Sequence, residues 1–164
     1  AKLSMSQIHR LLQCSLKASY SGPPGFPKWS MFMSERIEQI STVPDPFEAY
    51  RISQAIRVGE LVYTSGQAAI DLEGQLVGVG NFDAQAAQVF SNLKAVLEAA
   101  DASLDSVVKV TIYLTDMANF PKIVALRERY FSRPWPADTI VEVKALALPE
   151  LEIEIEAVAL AASP

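Results

Sequence analysis

The chain has 164 residues, half of them apolar and a fifth charged, which are the proportions of one folded domain and not of a disordered chain. A single cysteine (Cys14) and a single histidine (His9) exclude an internal disulfide framework, a cysteine-rich zinc site and a His-cluster metal centre. The net charge of −5 disfavours a protein that works by gripping phosphate backbones, and no apolar run approaches the roughly 20 residues of a membrane span.

The charge divides unevenly. Residues 1–34 hold Lys2, Arg10, Lys17 and Lys28 and no acid, while residues 35–164 carry a net −9. The composition changes at Met33-Ser34-Glu35-Arg36, which reads as a natural start. The expected organisation is a basic, Ser- and Pro-containing leader (1–34) and a single domain (35–164). The leader is read as a targeting peptide or a non-native extension, so His9 and Cys14 are not site candidates. A cytoplasmic location is expected, and an organellar one if residues 1–32 are a genuine transit peptide.

Val43-Pro44-Asp45-Pro46 cannot be helix. Strands are expected at Gln54–Val58 and Leu61–Ser65, the second rich in β-branched and aromatic residues. Asp71-Leu72-Glu73-Gly74 is a turn. Val77-Gly78-Val79-Gly80 is a loop, and not a nucleotide fingerprint, because the full glycine spacing is missing and no helix is expected to open directly from it. Asp83 is the expected cap of a helix to about Ala100, with Ala86, Phe90, Leu93, Leu97 and Ala100 on one face and Gln85, Gln88, Asn92 and Lys94 largely elsewhere. Val108–Leu114 is a strand with alternate residues on one face. Asp116 begins the approach to a second helix, about Asn119–Phe131, where Phe120, Ile123, Leu126, Arg127 and Tyr130 show the helical step. After Pro134-Trp135-Pro136, strands are expected at Thr139–Val143 and Glu152–Ala159. The order β-β-α-β-α-β-β fits an α+β two-layer sandwich, with two helices packed on one face of a mostly antiparallel or mixed sheet. The other face must meet water or a partner.

The last strand alternates strictly. Ile153, Ile155 and Ala157 point to the helices, and Glu152, Glu154, Glu156, Val158 and Leu160 point to the uncovered face. Carboxylates beside an apolar stretch are what a solvated open face shows, and also what a subunit seam with a polar pocket shows. The seam reading makes one glutamate a candidate acid/base, and the pattern alone does not single it out. Spaced at about 7 Å along a strand, the three are too spread to hold one metal ion by themselves.

Ser53 to Gln67, Asn92 to Ala100, Val108 to Asp116, Pro136-Ala137, Val141-Glu142-Val143 and Ile153 to Ala157 resemble, in order, the blocks of the Rid (YjgF) reactive-intermediate deaminase family. The resemblance runs from about residue 50 to 160. It implies a chorismate-mutase-like fold and a homotrimer whose three sheets face inward, with a substrate cleft at each subunit interface. It also implies hydrolysis of enamines and imines to a carbonyl and ammonia, without metal or cofactor. The family's cleft serine falls on Ser65 and its last-strand glutamate on Glu154. Its carboxylate-clamping arginine falls on Asp138, its cysteine on Ile140, its second-helix asparagine on Val124, and its aromatic near the first strand on Ile52, with Tyr50 close by.

An aspartate in place of the clamp would repel a small 2-imino acid. Arg133, Arg57 or Lys144 are conceivable substitutes, although a solvated surface charge is the commoner role of each. Tyr63 and Trp135 are candidate pocket walls for a larger substrate, with core or interface packing as the commoner role. The domain holds no histidine, so a Ser-His-Asp hydrolase is excluded and Ser65 can act only by hydrogen bonding. The first functional expectation is hydrolysis of an imine or enamine that is not a simple 2-imino acid. The alternative is a non-catalytic trimer that binds a metabolite or a protein. A third, ribonuclease activity, is opposed by the acidic domain, so neither a nucleic-acid nor a membrane partner is expected.

Overall fold

The computed structural model describes residues 37–162, so the leader with His9 and Cys14 lies outside the described residues. The elements are β1 (Ile37–Ile40), β2 (Ala55–Val58), β3 (Leu61–Thr64), β4 (Gln67–Ala68), α1 (Phe82–Ala99), β5 (Val107–Leu114), α2 (Phe120–Tyr130), β6 (Ala137–Glu142) and β7 (Ile153–Leu160). The expected α+β arrangement is present, and β1 and β4 add to the expected order. Both additions are too short to show a period: β1 buries only Ile40, and β4 is two residues long.

The strands form one mixed sheet in the order β1-β2-β3-β7-β5-β6, with β4 also on β7. All pairs are antiparallel except β5 with β6, the pair that α2 connects. β7 is the centre of the sheet. Ile153, Ile155, Ala157 and Ala159 are buried on its helix side, as the alternation requires.

Helix α1 supplies most of the cover. Ala86, Phe90, Leu93 and Leu97 are buried along one face, each large apolar side chain contributing about 1.5–3 kcal/mol on leaving water. The two helices meet where the Phe90 ring stacks on Tyr130 at 4.1 Å and meets Phe131 edge-on at 5.7 Å.

Three local expectations are corrected. The helix cap is Asn81, not Asp83: its extended backbone (φ −134°, ψ 93°) lets its side chain accept from Ala84 N at 3.1 Å. Asp83 stands instead in the first turn, favourable to the helix dipole, and pairs with Lys122 at 3.0 Å. Second, the helix does open from the Gly78–Gly80 loop, with only its cap Asn81 between Gly80 and Phe82. Gly78 has φ +71°, and a Cβ there would stand 2.7 Å from the Ala84 Cβ, so this glycine lets the loop lie against the first turn. Third, Gln85 faces inward and is buried. Its amide donates to Glu150 O at 2.7 Å and accepts from Glu152 N at 2.8 Å, which ties α1 to the start of β7.

Gln85→Ala is expected to take their partner from two part-buried backbone groups and to cost about 1–2 kcal/mol, read as a lower urea midpoint at unchanged slope.

Candidate active site

Two clusters of candidate residues exist, one on each face of the sheet. The first is built around a break in a strand. β3 pairs with Val158 to Leu160 of β7, and β4 pairs with Glu154 and Ile155, so Ser65-Gly66 spans the gap between them. Thr64 Oγ1 accepts from Ala157 N at 2.9 Å and closes part of that gap. Ser65 N donates to Gln54 O at 2.9 Å and Ser65 Oγ donates to Ser53 O at 2.7 Å, so the hydroxyl oxygen is fixed with its lone pairs still able to accept. Gly66 follows, and a Cβ there would overlap Glu154 Oε1. Glycine is what lets the Glu154 carboxylate lie directly on this backbone, next to Ser65.

Glu154 is half-buried. Burial first, and then the charge of Glu156 on the same face, push its proton affinity above the ordinary carboxylate range. Tyr113 stands directly opposite Glu154 on β5, and its hydroxyl donates to Glu156 Oε1 at 3.1 Å. Burial, followed by the hydrogen bond and charge of Glu156 and the charge of Glu154, holds the Tyr113 phenol protonated to higher pH than usual. Beside them a depression of about 150 Å³ is walled by Tyr63, Lys109, Thr111 and Glu156. Of Glu152, Glu154 and Glu156, Glu154 is the one whose carboxylate lies over a glycine.

The second cluster is a groove of about 580 Å³ between α2 and β6. Val124, Trp135, Asp138 and Ile140 all line it, together with Phe120 and Arg127. Asp138 does not stand alone there: Arg127 Nε donates to Asp138 Oδ2 at 2.7 Å, and the two side chains are only 27% and 20% exposed. Asp138 lies on the outer strand of the sheet, so its backbone is open while its carboxylate is sheltered against α2. Arg133 stacks over the Trp135 ring at 5.5 Å. Arg57 is engaged elsewhere, donating to Gly59 O, Ala100 O and Ala162 O and pairing with Asp101. Arg127 is the residue that the sequence reading missed as a site group, although it stands in the helical series with Phe120 and Ile123.

The clusters do not meet within one chain. Asp138 and Ile140 sit beside Val110 and Ile112, whose side chains are buried under the helices. Glu154 and Tyr63 are on the other face. Among the described residues no three His, Cys, Asp or Glu side chains converge as a metal site, and no helix is long and apolar enough to cross a membrane.

The α+β sandwich is a fold seen in solved structures. The chain superposes on the crystal structure of RidA from an Antarctic Psychrobacter with a TM-score of 0.68 and 40% identity, covering 75% of this chain and 98% of that one. It superposes on the yeast YEO7 structure with a TM-score of 0.71 and 36% identity, covering 77% and 99%. Residues 41–161 match the family described as Endoribonuclease L-PSP. A RutC family protein of Pyrococcus abyssi is 40% identical, over 77% of this chain and 98% of its own length. A protein of Dermatophagoides farinae named 2-iminobutanoate/2-iminopropanoate deaminase is 36% identical, over 76% and 94%. The chain belongs to the Rid/YjgF (RutC, L-PSP) family.

The raised proton affinity of Glu154 carries a sign. A carboxyl that holds its proton more tightly in the folded state lowers folding stability as pH rises from the unfolded value through the folded one. Glu154→Gln is therefore expected to raise the melting temperature at pH 7, with the gain vanishing near pH 4, as measured by calorimetry across pH.

Proposed function

We propose that this protein hydrolyses an imine or enamine metabolite to a carbonyl compound and ammonia, with Glu154 as the acid/base and Ser65 as a positioning hydroxyl. The observation that carries the reading is the half-buried Glu154 carboxylate laid over Gly66 next to Ser65. An enamine first takes a proton at carbon to become the iminium. Glu154 accepts a proton from water as its oxygen bonds to the iminium carbon, and the product is a carbinolamine. The carboxyl then returns that proton to the nitrogen, and the C–N bond breaks as the regenerated Glu154 carboxylate takes the hydroxyl proton, so that ammonia leaves and the carbonyl forms. The relative named as an imine deaminase supports the same chemistry. The acidic domain weighs against RNA as the substrate.

The working unit is a trimer. Ile37, Val58, Leu61 and Leu160 are register partners across four strands and form an apolar row on the uncovered face. Three such faces turned inward would cover it, and would bring the Glu154 cluster of one copy against the α2–β6 groove of the next. The smallest 2-imino acids are poor substrates in this reading, because Asp138 occupies part of the one guanidinium that lines the groove among the described residues.

The test is a panel of charged and neutral imines assayed for ammonia release. Glu154→Gln is expected to lose at least about 100-fold in rate with the assembly intact. A wild-type protein that accelerates ammonia release from no member of the panel sinks the reading. In sedimentation the wild type is expected to run as three chains and Val58→Glu as one. A single-chain wild type removes the shared cleft.

A further inference from the structure

The groove between α2 and β6 holds one ion pair in a wall that is otherwise largely apolar. A guanidinium has five N–H donors in a flat fork. Asp138 takes the Nε donor of Arg127 at 2.7 Å, which is that guanidinium's one hydrogen bond among the described residues. The terminal edge formed by Nη1 and Nη2 is left with donors for a second, parallel pair of bonds. The Phe120 ring lies beneath this guanidinium, 5.9 Å from its carbon. The side chain is thus clamped from two sides and presents a rigid fork to the groove.

The walls state a second requirement. Trp135 is 47% exposed, Val124 54% and Phe120 39%, although all three are large apolar side chains. Pro134 and Pro136 flank Trp135, and the Arg133 cation sits over its ring. A volume of about 580 Å³ lies within the range of sites that enclose ligands much larger than a three-carbon acid. Glu128 also faces the groove, so a second negative charge on the ligand would be repelled.

We infer that Arg127 is the carboxylate anchor of this protein, oriented by Asp138, and that the groove selects a monocarboxylic 2-imino acid with an aromatic or comparably bulky side chain. This rests on the proposed reading of the groove as the substrate cleft. Asp138 is a positioning residue: its oxygen holds Nε and so aims the arginine, while its charge weakens the hold on any acid, which a small one cannot make up elsewhere. Trp135 and Phe120 supply the contact area that compensates a large substrate and that a small one cannot use.

The experiment measures binding without turnover, by calorimetry on the full chain, with phenylpyruvate as an unreactive stand-in for the aromatic acid and pyruvate for the small one. Wild type is expected to bind phenylpyruvate saturably and at least tenfold more tightly than pyruvate. Arg127→Leu combined with Asp138→Asn, which leaves no orphan charge, is expected to lose phenylpyruvate binding at least tenfold. Asp138→Asn alone keeps an acceptor for Nε and removes the repulsion, so both acids are expected to bind severalfold more tightly. Trp135→Ala is expected to remove the preference for phenylpyruvate and leave pyruvate unchanged. Melting and sedimentation confirm the fold of each variant, and Arg127→Lys, which keeps the charge and loses the fork, replaces the double variant if that does not fold and is expected to be intermediate. Equal binding by wild type and the double variant overturns the inference, as does loss of binding in Asp138→Asn alone. If the acids bind as expected and no imine releases ammonia, the hydrolytic reading fails and the anchor stands. If ammonia is released while acid binding ignores Arg127, the anchor fails and the hydrolytic reading stands.

Discussion

The register of β7 is the constraint on which the other features hang. This one strand pairs with β3, β4 and β5, and its two sides face different worlds. Ile153, Ile155, Ala157 and Ala159 pack under α1, while Glu154 and Glu156 look away from the core. A slip of one residue would place carboxylates in the core and isoleucines in the open, so the apolar side locks the polar side. Gln85 reinforces the lock from the helix by gripping the backbone on both sides of Leu151. The position of Glu154 over Gly66 is therefore a product of core packing. The energy that fixes it comes from side chains on the opposite face of the same strand.

Electrostatics sets the character of each cluster in a different way. Around Glu154 the neighbours raise proton affinity: the site is half-buried, Glu156 is close, and Tyr113 bonds to Glu156 and not to Glu154. That surrounding favours the protonated carboxyl over the carboxylate. In the α2–β6 groove the neighbours cancel. Asp138 alone would be a fixed negative charge in a partly sheltered wall. Arg127 turns it into half of a charge-assisted pair, stronger than an exposed surface bridge because both partners are largely covered.

Much of this could be read in the amino-acid order, for identifiable reasons. The alternation of β7 and the four-three-four-three step of α1 are long enough to show their periods, and the structure has both where expected. The blocks that resemble the Rid family carried the fold and singled out Ser65 and Glu154, and the structure lays the Glu154 carboxylate against Gly66, the residue after Ser65. What escaped were interactions that sequence spacing does not encode. Asn81 and Asp83 are both good caps, and only the backbone angle at Asn81 decides between them. Gln85 is polar, and its burial depends on two backbone groups more than sixty residues away. Asp138 read as a reversed charge because its partner lies eleven residues earlier, on another element. A helix residue three positions after Val124, on the series that faces the sheet, was the available hint.

The helices divide the labour of the domain. Helix α1 sinks eight side chains into the interior, whereas α2 fully buries only Ile123. One helix is the keel and the other is closer to a panel fastened by a single bolt. Replacements along the outward face of α2 and the neighbouring outer strand can accumulate with little penalty to folding, because few of those positions support the interior. The strand that carries Glu154 has no such freedom, because every second residue on it is part of the interior.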